Sequence, residues 1–175
     1  LQGHTNGVRS VAFTSDGKFL ASGSEDRIVR LWEVSTGQCF HTLQGFANGV
    51  RSVAFTSDGK FLASGGDEWI IHLWEVSTGR LLRTFQGHTT RVMSVACSPT
   101  GNLLASGSED QTIRLWEIST GRSLRTLRGH TARIRAITFN PDGSLLASGS
   151  DDLTIQLWEV STGQRFRSLQ GHTAG

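Results

Sequence analysis

Short apolar stretches, each closed by a glycine-containing turn, recur along the whole chain. In the first copy, Arg9-Ser10-Val11-Ala12-Phe13-Thr14 follows the polar His4-Thr5-Asn6-Gly7 bend and alternates small polar with apolar residues, the pattern of a strand. Ser15-Asp16-Gly17 comes next, and an Asp-Gly pair tolerates the positive φ that tight turns require. Residues 19–24 and 28–34 are predicted as the second and third strands, the third apolar enough to be buried on both faces. Ser35-Thr36-Gly37 turns the chain again, and the more polar residues 38–43 form a fourth strand suited to an outer edge. One unit is thus a four-stranded antiparallel sheet with no room for a helix.

The unit then repeats. Residues 20–33 return as 62–75, 104–117 and 146–159, each copy 42 residues after the last, and a period of this size marks a repeat architecture. Divided on that period, the chain holds units 1–42, 43–84, 85–126 and 127–168, and a terminal overlap, 169–175, that nearly copies residues 1–7. It reads as an excised or designed segment. One such sheet buries too little on its own, so the fold class is all-β, with the sheets stacked face to face around an axis.

Composition narrows the function classes. Seventeen basic residues stand against fifteen acidic ones, a balance that by itself implies neither a nucleic-acid nor a membrane surface. The longest apolar runs, such as Leu145-Leu146-Ala147, are far too short to span a bilayer, and a charged-then-apolar leader is missing from the start, so a cytoplasmic chain is expected. Cys39 and Cys97 occupy non-equivalent positions, which argues for reduced, structural thiols, and Cys39 with His41 is too sparse for zinc. No metal and no cofactor is expected.

Gly3-His4 before the first strand and Leu31-Trp32-Glu33 closing the third, repeated in phase through the entire chain, resemble the Gly-His and Trp-Asp signatures of the WD-repeat β-propeller family. Glu33, Glu75, Glu117 and Glu159 stand where the name-giving Asp usually sits. The near identity of neighbouring repeats is similar to the recently amplified propellers of some bacteria, and a designed or reconstructed fragment, active only in self-assembly, has the same look.

The resemblance implies a structural tetrad in each blade. These are His4, Ser22, Asp26 and Trp32; His88, Ser106, Asp110 and Trp116; and His130, Ser148, Asp152 and Trp158. A buried carboxylate is costly unless paired, and imidazole, hydroxyl and indole N–H are suitable partners. Ser, His and Asp together also suggest a hydrolase, but an active site needs an exposed nucleophile and no repetition in every blade, so the bracing role is favoured and no enzyme is expected. The second repeat is altered: Phe46, Ser64, Glu68 and Trp74 hold the tetrad positions. There Glu68 is expected to swing toward water, and Trp69, in place of Arg27, Gln111 and Leu153, to pack on Phe46.

WD-type blades suit rings of about seven or eight, roughly 45–51° each, so four make about half a circle. Two chains related by a two-fold axis would close an eight-bladed ring as a homodimer, with blade one of each against blade four of the other. The duplicated termini would compete for one path, with His4 or the partner's His172 supplying the loop histidine of blade one. The resemblance also implies a protein- or peptide-binding loop face. On it belong Arg9, Arg51, Arg91, Met93, Arg133 and Arg135, the acids Glu25, Asp67, Glu109 and Asp151, and Trp69. Arg80, Arg83, Arg122, Arg125, Arg128, Arg165 and Arg167 make the outer strands basic. Without aromatic stacking platforms beside them, they are expected to protect sheet edges and not to bind nucleic acid.

Overall fold

The computed structural model describes residues 2–171. His172 and most of the duplicated C-terminal stretch lie outside the described residues, so the expected competition between termini falls there too. Among the described residues all regular structure is strand: four sheets of four strands, each in the order of the chain and antiparallel throughout. Blade one holds β1 (Val8–Phe13), β2 (Phe19–Ser24), β3 (Val29–Glu33) and β4 (Cys39–Leu43). Blade two holds β5 (Val50–Phe55), β6 (Phe61–Gly66), β7 (Ile71–Glu75) and β8 (Leu81–Phe85). Blade three holds β9 (Val92–Cys97), β10 (Leu103–Ser108), β11 (Thr112–Glu117) and β12 (Ser123–Arg128). Blade four holds β13 (Ile134–Phe139), β14 (Leu145–Ser150), β15 (Thr154–Glu159) and β16 (Arg165–Gln170). No helix among the described residues is long and apolar enough to cross a membrane.

The strands sit within a residue of their predicted bounds, and the offsets have local causes. Thr14 leaves the first strand because its hydroxyl is used in the turn, donating to Asp16 Oδ1 at 2.7 Å and accepting the Phe19 N–H at 3.1 Å. Gly17 completes that turn at φ 71°, where a side chain would be strained. Ile28 precedes the third strand and gives its N–H to the Asp26 carboxylate at 3.1 Å, as Thr112 and Thr154 do to Asp110 and Asp152 at the first residue of their strands.

Each pair of adjacent blades shares one apolar core, built from the same positions every time. Between blades one and two, Ala21, Val29, Leu31 and Leu43 of the first meet Val50, Val53, Leu62 and Trp74 of the second. The next two interfaces substitute their equivalents, among them Ile71, Phe85, Val92 and Trp116, then Ile113, Leu127, Ile134 and Trp158. A glycine in the second strand of each leading blade makes room for the approach: a Cβ on Gly23 would lie 2.8 Å from Val50, on Gly65 2.7 Å from Val92, and on Gly107 2.6 Å from Ile134. Polar stitches run beside the core. Ser10, Ser52 and Ser94 hydroxyls accept the backbone N–H of Val53, Val95 and Ile137 at 3.0–3.2 Å.

Four blades make three such cores, and the two ends carry the unmatched halves of another. On blade one, Val8, Val11 and Phe13 are 49%, 60% and 61% exposed, whereas Val50 and Val53 at the first two equivalent positions of blade two are 0% and 5%. Val8 and Val11 border a hollow of about 600 Å³ with Leu20 and Trp32. On blade four, Ile155 and Leu157 are only partly covered and Leu169 is 42% exposed, while their counterparts Val29, Leu31 and Leu43 are buried.

Because Gly107 is already in close contact, Gly107→Ala should lower the urea midpoint of unfolding, a loss of about 1–3 kcal/mol from overpacking against Ile134.

Candidate functional site

The loops of blades one, three and four are each tied down by the same chain of side chains. In blade one the turn between β2 and β3 carries Asp26, whose Oδ2 accepts from His4 Nδ1 at 2.8 Å and from the Thr5 N–H at 3.0 Å. Since the carboxylate takes the Nδ1 proton, Nε2 is an acceptor, and the Ser22 hydroxyl donates to it across 2.7 Å. Ser22 Oγ in turn accepts the Trp32 Nε1–H at 2.8 Å. His88, Ser106, Asp110 and Trp116 repeat the set at 2.7–2.8 Å, as do His130, Ser148, Asp152 and Trp158. Burial opposes ionisation of Asp26, Asp110 and Asp152, but hydrogen bonds from the imidazole, the loop N–H and, for Asp110 and Asp152, a threonine hydroxyl outweigh it. All three stay below the ordinary carboxylate range, Asp152 at about 2.

Two members of this network were not anticipated. Thr112 and Thr154 donate their hydroxyls to Asp110 and Asp152 Oδ1 at 2.6 Å, a bond that Ile28 and Ile70 at the matching positions cannot make. The change from Ile to Thr within an otherwise constant repeat was the available signal.

Blade two solves the same problem differently. Trp74 Nε1–H still donates to Ser64 Oγ at 2.8 Å, but Phe46 replaces the loop imidazole. Its ring packs on His72 and Trp74, with centroids 4.9 Å and 5.4 Å away. His72, at the position of Arg30, Arg114 and Gln156, is an imidazole returned from a different strand: its Nδ1 lies 3.3 Å from Glu68 Oε1. Glu68 therefore does not turn to water as expected. It is largely buried, and its Oε2 accepts the Ala47 N–H at 3.0 Å. Burial lowers the His72 pKa by more than the Glu68 charge raises it. Trp69, expected to cover Phe46, is 51% exposed instead. Its position adopts φ 65°, as Arg27, Gln111 and Leu153 adopt 67°, and the residue at this left-handed turn is exposed in blades one to three and partly covered in blade four.

The charged rim is positioned by the backbone. Each inner strand has a register shift at Arg9, Arg51, Met93 or Arg135, and a bulge there re-aims the side chain. Arg9 pairs with Glu25, Arg51 with Asp67, and Arg135 with Asp151 at 2.8 Å. Met93 offers no charge, and Arg91 takes over, 3.2 Å from Asp67 and 3.7 Å from Glu109. Arg133 likewise spans Glu109 and Asp151. The rim is thus a ladder of paired, partly exposed charges, and Trp69, two residues after Asp67, is exposed.

Outer-strand arginines do more than guard an edge. Arg83 donates to the Ser119 and Thr120 carbonyls at 2.8 Å and 2.6 Å, and Arg125 to the Ser161 carbonyl, joining each blade to the next. His41 meets the Ser77 carbonyl at 3.2 Å in the same way. Cys39 Sγ lies 3.2 Å from the His41 carbonyl, and burial pushes the Cys97 thiol up to about 12, so Cys97 is inert at neutral pH. Among the described residues no group of three or more His, Cys, Asp or Glu side chains could hold a metal ion.

The model of the WD domain, G-beta repeat family matches residues 1–33, 37–75, 79–117 and 121–159. The chain belongs to this family. Each full-length match opens on the outer strand of one blade and closes at the Trp-Glu pair of the next. The ribosome biogenesis protein BOP1 homolog of Drosophila virilis is 48% identical over 42 residues, which is 24% of this chain and 5% of that protein. The homologs of Drosophila erecta and Drosophila melanogaster match to the same extent. The similarity spans one repeat, a small part of the relatives' length.

Within a WD repeat, the departure from Trp-Asp to Trp-Glu has a local reason here. Thr36 donates to Glu33 Oε2 at 2.7 Å, Thr162 to Glu159 at 3.0 Å, and Thr78 and Thr120 donate to their glutamates, so the longer carboxylate anchors the Ser-Thr-Gly turn. The Ser-His-Asp order has the connectivity of a hydrolytic triad but not its access. Ser22, Ser106 and Ser148 are 4%, 0% and 1% exposed, and each already accepts an indole N–H.

Two outcomes follow. Ser106→Ala strands both His88 Nε2 and Trp116 Nε1–H, and Ser64→Ala strands only the indole. The first should cost about 1–3 kcal/mol more stability in urea denaturation. His72 has a folded-state pKa below its unfolded one, so its contribution is intact above about pH 6.5 and is lost as pH falls toward the folded value. His72→Gln, the residue type of Gln156, should flatten the wild-type decline in melting temperature between about pH 6.5 and 5.

Proposed function

We propose that this WD-repeat chain is a non-enzymatic scaffold that pairs with a second copy to complete an eight-bladed ring and offers its loop rim to a protein or peptide. WD-repeat proteins generally serve as interaction scaffolds, and the buried, fully engaged tetrad serines support a bracing role. The observation that carries self-association is the pair of unmatched apolar ends: Val8, Val11 and Phe13 on one, Ile155, Leu157 and Leu169 on the other. A stable monomer does not keep such faces in water. Blade one of each copy then lies against blade four of the other, and two equivalent seams close the ring. Two free cysteines fit a reducing compartment such as the cytoplasm.

On the rim, the ligand site centres on Trp69, exposed at its left-handed turn two residues after Asp67, the acid that pairs with Arg51. An exposed indole next to a breakable ion pair suits a protein or peptide carrying both an apolar and a charged group. The rim charges pair with acids and not with free solvent, which disfavours a nucleic-acid backbone as the occupant.

Light scattering at micromolar concentration should give a mass twice that of the 19.0 kDa chain. A monomer, or a mass that climbs past two chains with concentration, overturns the ring. In a peptide-array screen, Trp69→Ala should abolish the strongest signals without changing that mass.

A further inference from the structure

The self-association reading leaves open how the ends meet, and three internal copies of the interface answer it. In each, a following blade sets two β-branched residues over the glycine of the leading blade: Val50 and Val53 over Gly23, Val92 and Val95 over Gly65, Ile134 and Ile137 over Gly107. The same repeat positions at the ends are Val8 and Val11 on blade one and Gly149 on blade four. Gly149 is the one member of its series with nothing within 4 Å of an added Cβ. Val8 and Val11 are half or more exposed. One end therefore has the knobs without a socket, and the other the socket without knobs.

Charge complementarity agrees with this register. The outer-strand position that latches each blade to the next is filled by His41, Arg83 and Arg125, which reach the carbonyls of Ser77, of Ser119 and Thr120, and of Ser161. Its fourth member, Arg167, has no following blade among the described residues, and its guanidinium sits 5.5 Å from the Phe166 ring centroid. The corresponding carbonyls are those of Ser35 and Thr36, in an exposed turn of blade one. A cation on the socket end thus faces two acceptors on the knob end.

Resting on the self-association reading, we propose that a second copy of this chain docks head to tail, its Val8 and Val11 seated over Gly149 and its Ser35 and Thr36 carbonyls taken by Arg167. The seam repeats the internal register but is built to be weaker. Ala136 stands where Ser10, Ser52 and Ser94 supply their hydroxyls, so the Val11 N–H gains no acceptor from the neighbouring blade. Gly7 stands where Arg91 and Arg133 reach back to the acid of the preceding blade, so Asp151 gains no cross-seam cation, as Glu25 gains none from Gly49 at the first internal interface. The seam is the place where the ring opens.

The test compares wild type, Gly149→Val, Val11→Asp and Ala136→Ser by sedimentation velocity over a concentration series, with tryptophan fluorescence and circular dichroism as checks of folding. Gly149→Val meets open space within its own chain, so it should fold, and its association should weaken about tenfold to a hundredfold at each seam. Val11→Asp, at a 60% exposed position, should do the same from the other side and serves if the glycine variant does not fold. Ala136→Ser should tighten association about two- to tenfold per seam through the restored hydrogen bond. An equimolar mixture of Gly149→Val and Val11→Asp should regain one sound seam and associate better than either alone. If wild type assembles and Gly149→Val assembles equally well, the head-to-tail register is wrong while self-association stands. If wild type itself is monomeric, the self-association reading falls and takes the register with it.

Discussion

Everything in this molecule depends on the contact between one blade and the next. A four-stranded sheet has two faces, and its own side chains can shield neither, so burial comes only from a neighbour. The interface is set by close approach: Gly23, Gly65 and Gly107 admit branched side chains to within 3 Å of where a Cβ would stand. Because the interior is packed at this density, the spacing of the blades cannot drift, and the loops that ride on them keep fixed positions. The rim charges and the exposed Trp69 inherit their geometry from that spacing.

The tetrads act on a different scale. They do not join blades; each fastens the loop entering a blade to that blade's own second and third strands, through a carboxylate satisfied on both oxygens. In blade one Asp26 Oδ2 takes the His4 ring and the Thr5 N–H, while Oδ1 takes the Ile28 N–H. A carboxylate so fully engaged stays charged despite its burial. Interblade contacts and tetrads therefore divide the work: one sets where the blades sit, and the other sets where the loops sit upon them.

The 42-residue period made the strands and their succession readable in the residues, because a fourfold copy averages out local ambiguity, while the tetrad membership came from the resemblance to WD repeats. Residues that depart from the period were harder to place, and for physical reasons. His72 replaces an arginine that in blades one and three is partly buried, Arg114 lying over the Trp116 ring, and nothing in its neighbours announces that it turns toward Glu68. The outer-strand arginines looked like edge charges because their acceptors, the carbonyls of Ser119, Thr120 and Ser161, lie 36 or 37 residues away and leave no mark on the sequence. Trp69 was misplaced because a left-handed turn residue points away from the layer where its aromatic character would be useful.

The altered blade separates the parts of the brace that can change from the part that does not. The Ser64–Trp74 hydrogen bond survives at 2.8 Å, the same length as in the other three blades. It joins adjacent strands inside the sheet, where a lost partner has no water to replace it. The loop half is more permissive. With His4 changed to Phe46 in the equivalent place, a carboxylate would lose its imidazole, but Glu68 is one methylene longer and reaches His72 on the third strand, while keeping the loop N–H of Ala47. Phe46 then fills the vacated volume against His72 and Trp74. Three substitutions thus fall together in one blade and keep an acid and an imidazole face to face, but as a 3.3 Å contact between Glu68 Oε1 and His72 Nδ1 in which neither atom has a hydrogen-bond partner.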